Sequence, residues 1–167
     1  MMKYALILVC LFLNSCMIDY NLGLDKMQEG KFKEATDLFS MAHAKNPKNP
    51  QILYARGISR GFQENYMGAV ADMTRAIRLE DDHADYYFYR AYYKSKMGNE
   101  KVAISDYSKS IALYPYYPES YFNRGVKLMS IGNMTDACYD FQYAADLGDT
   151  LSLGYLNIYC RSLKRPN

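Results

Sequence analysis

The chain has 167 residues, half of them hydrophobic and 23% charged, with a net charge of +2. That balance suits a folded body, and so small a net charge leaves no field strong enough to hold nucleic acid. Tyrosine is the outlier, at 18 residues with no tryptophan, while the two histidines, His43 and His83, stand apart. No spacing suits a zinc, calcium or phosphate-loop site, so neither metal nor cofactor is expected.

Met1-Met2-Lys3 is a short basic start before the apolar run from Tyr4 to Leu13. Roughly ten residues cannot cross a bilayer as a helix, but they suit the apolar segment of an export signal. The run ends in Leu13-Asn14-Ser15-Cys16, which resembles the bacterial lipoprotein box: an aliphatic residue at −3 and a small one at −1 before the lipidated cysteine. Asn14 departs from the usual small or β-branched residue at −2. The resemblance implies that residues 1–15 are removed as a signal peptide and that Cys16 carries acyl chains. Two or more chains, at about 0.8 kcal/mol per buried CH₂, hold a protein at a membrane stably. Met17 follows the cysteine. By analogy with bacteria that read an acidic residue there as an inner-membrane mark, this favours the outer membrane. The alternative is an ordinary signal cut near Ser15, with Cys16 incidental.

Beyond Cys16 the sequence repeats every 34 residues, in windows that start at 16, 50, 84 and 118. Ala35, Ala69, Ala103 and Ala137 share one position. Four residues on come Phe39, Met73, Tyr107 and Phe141, and three further on Ala42, Ala76, Ser110 and Ala144. Gly23, Gly57, Ala91 and Gly125 share a small position upstream. Gly30, Gly98 and Gly132 mark a turn within each repeat, with Glu64 in the second, and Pro47 and Pro115 close repeats one and three. This pattern resembles the tetratricopeptide (TPR) family over about residues 16 to 151. The departure is at the first large position, where Asp19, Leu53, Tyr87 and Tyr121 stand in place of the family's tryptophan.

The resemblance implies an all-α right-handed superhelix of four helical hairpins, at 16–49, 50–83, 84–117 and 118–151, followed by a capping helix and tail over 152–167. Periodicity predicts helices near 18–28, 32–44, 50–63, 66–79, 84–97, 100–113, 118–131 and 134–146, and a ninth over 151–163. A last repeat needs a cap. Leu156, Tyr159 and Leu163 form an inward stripe on the ninth helix, with Arg161, Lys164 and Arg165 on its polar side. Within each hairpin, glycine on the first helix faces alanine on the second, so that the axes approach closely.

Three pairs recur in frame: Arg56 with Asp72, Arg90 with Asp106, and Arg124 with Asp140. Each is symmetric about its hairpin turn, so both members lie at similar height on facing helices. A bidentate ion pair is the favoured reading, and an anion-binding row of arginines the other. Cys10 leaves with the signal and Cys16 takes lipid, which leaves Cys138 and Cys160. They straddle the turn before the ninth helix, and an exported compartment allows a disulfide between them; two buried thiols are the alternative. A second ladder is aromatic: Tyr20, Tyr54, Phe88 and Phe122. In the TPR family this position faces the concave groove, and Phe62, Tyr89, Tyr92 and Asn123 fall at neighbouring groove positions. Groove and inter-helix filler are equally open readings for the ladder. The family's carboxylate clamp of lysine, asparagine and arginine is not reproduced.

These features predict a non-enzymatic scaffold, exported and tethered to a bacterial membrane by its lipid, that captures a protein or peptide segment. The alternatives are a structural spacer or homo-oligomeric subunit of an envelope or pilus assembly and, ranked last, a lipoprotein that binds glycans or small ligands.

Overall fold

A computed structural model describes residues 16–160, and all regular structure among them is helical. Helix α1 covers 16–28. It is followed by α2 (Phe32–Lys45), α3 (Pro50–Phe62), α4 (Tyr66–Leu79), α5 (Ala84–Lys96), α6 (Glu100–Leu113), α7 (Pro118–Ser130), α8 (Met134–Asp146) and α9 (Thr150–Tyr159). The signal segment, Leu163 of the expected stripe and the basic residues Arg161, Lys164 and Arg165 lie outside the described residues. The chain forms two compact units, the first up to Asp81 and the second from Asp82.

The same local device turns every hairpin. Gly30, Gly98 and Gly132 have φ of +73°, +77° and +84°, and Glu64 adopts +60° at the matching place. The next residue's N–H reaches back five residues, as in Asn65 to Arg60 O (2.9 Å), Asn99 to Lys94 O (3.0 Å) and Asn133 to Leu128 O (2.9 Å). This is the Schellman ending, which satisfies the last carbonyls of one helix and needs a left-handed residue that glycine supplies without strain. The asparagine that follows then starts the second helix: Asn65 and Asn133 accept from the backbone N–H of Gly68 and Asp136. Gly148 (φ +97°) and Asp149 repeat the device before α9.

Packing inside each hairpin differs in one respect from the sequence expectation. The large residue of the second helix, not its alanine, fills the space over the first helix's glycine. A Cβ built on Gly23 would lie 2.6 Å from the Phe39 ring, one on Gly57 2.8 Å from Met73 Cε, and one on Gly125 2.8 Å from the Phe141 ring. The alanine contributes its carbonyl, 3.2 Å from the same point at Gly125 for Ala137 O. Phe39, Met73, Tyr107 and Phe141 are all fully buried.

In the first unit, Phe39, Ala35, Ala42, Ile52 and Ala55 form one core that includes Cys16. Asp19 occupies a position where the family places an aromatic ring, and Lys45 Nζ meets its carboxylate at 2.6 Å. That ion pair explains how α1 keeps its place with an acid facing inward. In the second unit, Ser110 takes the position that alanine holds in the other repeats. Its hydroxyl is buried 2.9 Å from that of Ser120 on α7, so each satisfies the other.

Helix α9 packs on α8 but is turned otherwise than its predicted stripe. Ser152 and Cys160 are buried, with Tyr155 and Leu156 beside them, while Tyr159 is exposed. The cause is the Cys138–Cys160 disulfide (Cα–Cα 5.7 Å), which turns residue 160 inward. Tyr159, about 100° away around the helix, is therefore carried outward. Leu151, Leu153 and Ile158 are exposed as well, so the outer side of α9 is largely apolar, with Thr150 and Asn157 its exposed polar residues.

The close approach at glycine has a measurable cost when filled. Gly125→Ala should overpack against Phe141 by about 1–3 kcal/mol, offset in part by roughly 1 kcal/mol of helix propensity. Gly154→Ala meets nothing within 4 Å and should gain about 0.5–1 kcal/mol. Urea denaturation of the two variants checks this. Equal gains in both would refute the packing account.

Candidate functional site

The structure brings each in-frame arginine onto its aspartate. Arg56 Nε and Nη2 donate to the two carboxylate oxygens of Asp72 at 2.9 and 2.7 Å. Arg90 and Asp106 repeat this at 2.8 and 2.6 Å, and Arg124 and Asp140 at 2.8 and 2.7 Å. The third donor of the guanidinium reaches the preceding hairpin: Arg56 Nη1 lies 3.4 Å from Ser40 Oγ, and Arg124 Nη1 2.9 Å from Ser108 Oγ. One arginine thus ties three helices together. Two partners escaped the sequence reading. Arg60 Nη1 donates to Asp72 at 2.6 Å, and Lys94 Nζ to Asp106 at 2.8 Å. The signal was there, a cation at 34-residue spacing, and in the fourth repeat it is broken by Leu128. Asp140, without that second cation, has its carboxyl pushed above the usual range by burial, against the opposing pull of Arg124.

The aromatic ladder divides. Phe88 is 8% exposed, with the rings of Tyr89, Tyr107 and Tyr117 at centroid distances of 5.1, 5.7 and 4.9 Å. It is therefore packing, not an open groove wall, because the loop residue Tyr117 folds over it. Burial pushes the phenols of Tyr107 and Tyr117 well above their ordinary pKa. Tyr20 and Phe122 are half-buried against the large residue of their own hairpins, Phe39 at 5.7 Å and Phe141 at 6.0 Å. Tyr155 of α9 adds a ring 5.2 Å from Phe122. Tyr54 is half-buried on α3.

The neighbouring positions are more open. Phe62 is exposed and stacks flat on Phe32, at 4.3 Å and 7°. Tyr92 is half-buried, edge-on to Tyr93, with Lys96 Nζ 5.3 Å from its ring centre. Tyr89 is half-buried beside Phe88, and Asn123 donates to Glu119 O at 2.7 Å. On α5 and α7, then, the half-buried side chains at these positions are tyrosines and an amide, beside buried rings.

Cys16 opens the described part of α1 with its side chain inside. It is 2% exposed, and its Sγ lies 3.4 Å from Ala42 O. Burial, and then Asp19, push its thiol pKa up. Among the described residues no group of three His, Cys, Asp or Glu is placed to hold a metal ion. None of the described helices is long and apolar enough to cross a membrane.

No protein-family model and no curated protein matches the sequence. Solved structures do match. MamA from Desulfovibrio magneticus RS-1 superposes with a TM-score of 0.79 at 19% identity, over 86% of this chain and 84% of that one. The fold is that of the tetratricopeptide repeat. YrrB, described as a TPR protein with an unusual peptide-binding site, gives 0.77 at 20% identity over 86% of this chain and 74% of its own. The first TPR of Spaghetti, solved bound to the HSP90 peptide SRMEEVD, gives 0.69 at 19% identity over 71% and 94%.

Within this TPR fold the Asp72 pair is the most deeply buried of the three, with Asp72 fully enclosed. Asp72→Leu should cost about 3–5 kcal/mol, because it leaves a buried guanidinium without its counter-charge, and adding Arg56→Met with Arg60→Met should recover most of that. Thermal or urea unfolding of the single and combined variants checks it. A triple variant no more stable than Asp72→Leu would refute the account.

Proposed function

We propose that this chain is a non-enzymatic scaffold, held to a bacterial envelope membrane by lipid on Cys16, that captures a peptide segment of a partner protein. The observation that carries the reading is the set of half-buried side chains on the first helices of the second unit's hairpins, Tyr89 and Tyr92 on α5 and Asn123 on α7, with Tyr54 half-buried on α3 in the first unit. Tyrosine offers large, stiff contact area with a polar tip, and such rings dominate peptide interfaces. The TPR neighbours add support, since one was solved with a peptide and another is described by its peptide-binding site.

The anchor rests on Leu13-Asn14-Ser15-Cys16. Acylation of Sγ requires the first turn of α1 to leave its seat beside Ala42, so the acylated form differs from the described one at that turn. The Lys45–Asp19 bridge then fixes where α1 resumes its packing. A structural role as a self-associating subunit draws on a different observation. Ile18 on α1 and Leu151 and Ile158 on α9 are exposed apolar residues on the first and last described helices.

Crosslinking in cells, with co-purification from membranes, compares the native chain with Tyr54→Ala/Tyr92→Ala. Loss of two aromatic anchors at about 2 kcal/mol each should weaken capture by well over tenfold with helical content intact. Cys16→Ser should abolish labelling by radioactive palmitate and release the protein to the soluble fraction. A partner held equally by the double variant sinks the peptide-binding face, and recovery of this protein alone favours self-association. Unchanged labelling in Cys16→Ser sinks the anchor.

A further inference from the structure

The three buried aspartates are not equally served. Asp72 Oδ2 accepts from Arg56 Nε and Arg60 Nη1, and Asp106 Oδ2 from Arg90 Nε and Lys94 Nζ. Asp140 is met only by Arg124 among the hydrogen bonds of the described residues. The residue one helical turn past each arginine decides this: Arg60, Lys94, and then Leu128. Where the third cation would lie, the second unit has a cleft of about 350 Å³. Ile104 and Ser108 of α6, Arg124 and Leu128 of α7, and Asp136, Tyr139 and Asp140 of α8 line it.

Two further residues set this hairpin apart from the second and third. Asp136 stands where the second and third hairpins have Gly68 and Val102, and Tyr139 where they have Ala71 and Ser105. The hairpin that lacks the internal cation has thus gained a second carboxylate and an aromatic ring around the empty place. With Arg124 already paired to Asp140 and bonded to Ser108, the cleft carries one excess negative charge. Its other walls, Ile104 and Leu128, are aliphatic.

We propose that this cleft binds an alkylammonium group, the side chain of a lysine on a partner protein. The aliphatic stem lies along Ile104 and Leu128, and the ammonium donates to Asp140 Oδ2 and Asp136, as Lys94 Nζ does to Asp106 within the chain. Tyr139 on the rim offers its ring face to the same charge. The raised carboxyl of Asp140 fits a group short of one donor. This site is separate from the set of tyrosines and stands whether or not that set binds a peptide.

The test is an NMR titration of the full chain, disulfide intact, with Nα-acetyl-lysine methylamide. Its Nζ-acetylated form is the uncharged control, and n-butylamine is the free-amine arm. Saturable shifts centred on Leu128 and Asp140 are expected with the lysine derivative and absent with the acetylated control. Leu128→Lys, which restores the arrangement of the sister hairpins, should weaken binding about tenfold or more and raise Tm. The exposed change Asp136→Asn should also weaken binding and leaves the buried pair intact. No saturable shift, equal shifts with the acetylated control, or shifts retained in Leu128→Lys would overturn the proposal. Binding of n-butylamine without the lysine derivative would overturn the protein-borne source and leave a site for small amines.

Discussion

Three of the four hairpins are built on one contact: a large side chain on the second helix seated where the first helix has no Cβ. Phe39 over Gly23, Met73 over Gly57 and Phe141 over Gly125 bring the two axes so close that the next shell of residues must be small or must pair. The fully buried alanines at 35, 69, 103 and 137 are the first consequence. In the second and fourth hairpins the residue just before the glycine is an arginine and the one just before the large side chain an aspartate, so the close approach also sets these two in bidentate contact. The notch and the pair are independent, however: the third hairpin makes the pair with Ala91 in the glycine's place, and the first has the notch with Leu22 and Leu38 at the pair positions.

That pair in turn couples neighbouring hairpins. The guanidinium presents five donors in a fixed plane, so two can hold the hairpin's own aspartate while another reaches a serine on the helix before. Lysine could not do both. In the first unit this joins α2, α3 and α4 through Ser40, Arg56 and Asp72, and in the second α6, α7 and α8 through Ser108, Arg124 and Asp140. Within each unit, the stabilisation of one hairpin by the one before it thus has an atomic basis.

Much of the fold was legible because it rests on spacing. Four alanines at one interval, glycines at the turns and arginines matched to aspartates across a hairpin are properties of positions, and the first eight helices fall within a residue or two of where those positions put them. What spacing could not supply was rotation and cover. Of the stripe expected on α9, Leu156 packs inward but Tyr159 turns out, because a single covalent link at Cys160 outweighs the modest apolar asymmetry of a helix that is hydrophobic nearly all round. Phe88 was open to either reading because its neighbour in space, Tyr117, belongs to a loop that no helical periodicity places. The second cations, Arg60 and Lys94, needed only the comparison of three equivalent positions. The difference at Leu128 becomes informative once the aspartates are known to be buried.

The buried hydroxyls of Ser110 and Ser120 carry a consequence for how such a sequence can change. Alanine at 110 is the rule in the other repeats, yet here it would strand the Ser120 hydroxyl in a closed interior, and an apolar residue at 120 alone would strand Ser110. Each serine makes the other permissible. Drift at these two sites is therefore correlated: the single-step intermediates are less stable than either end, and the third and fourth hairpins are bound to a shared history at a point where the repeat pattern, viewed one position at a time, shows only a conservative exchange.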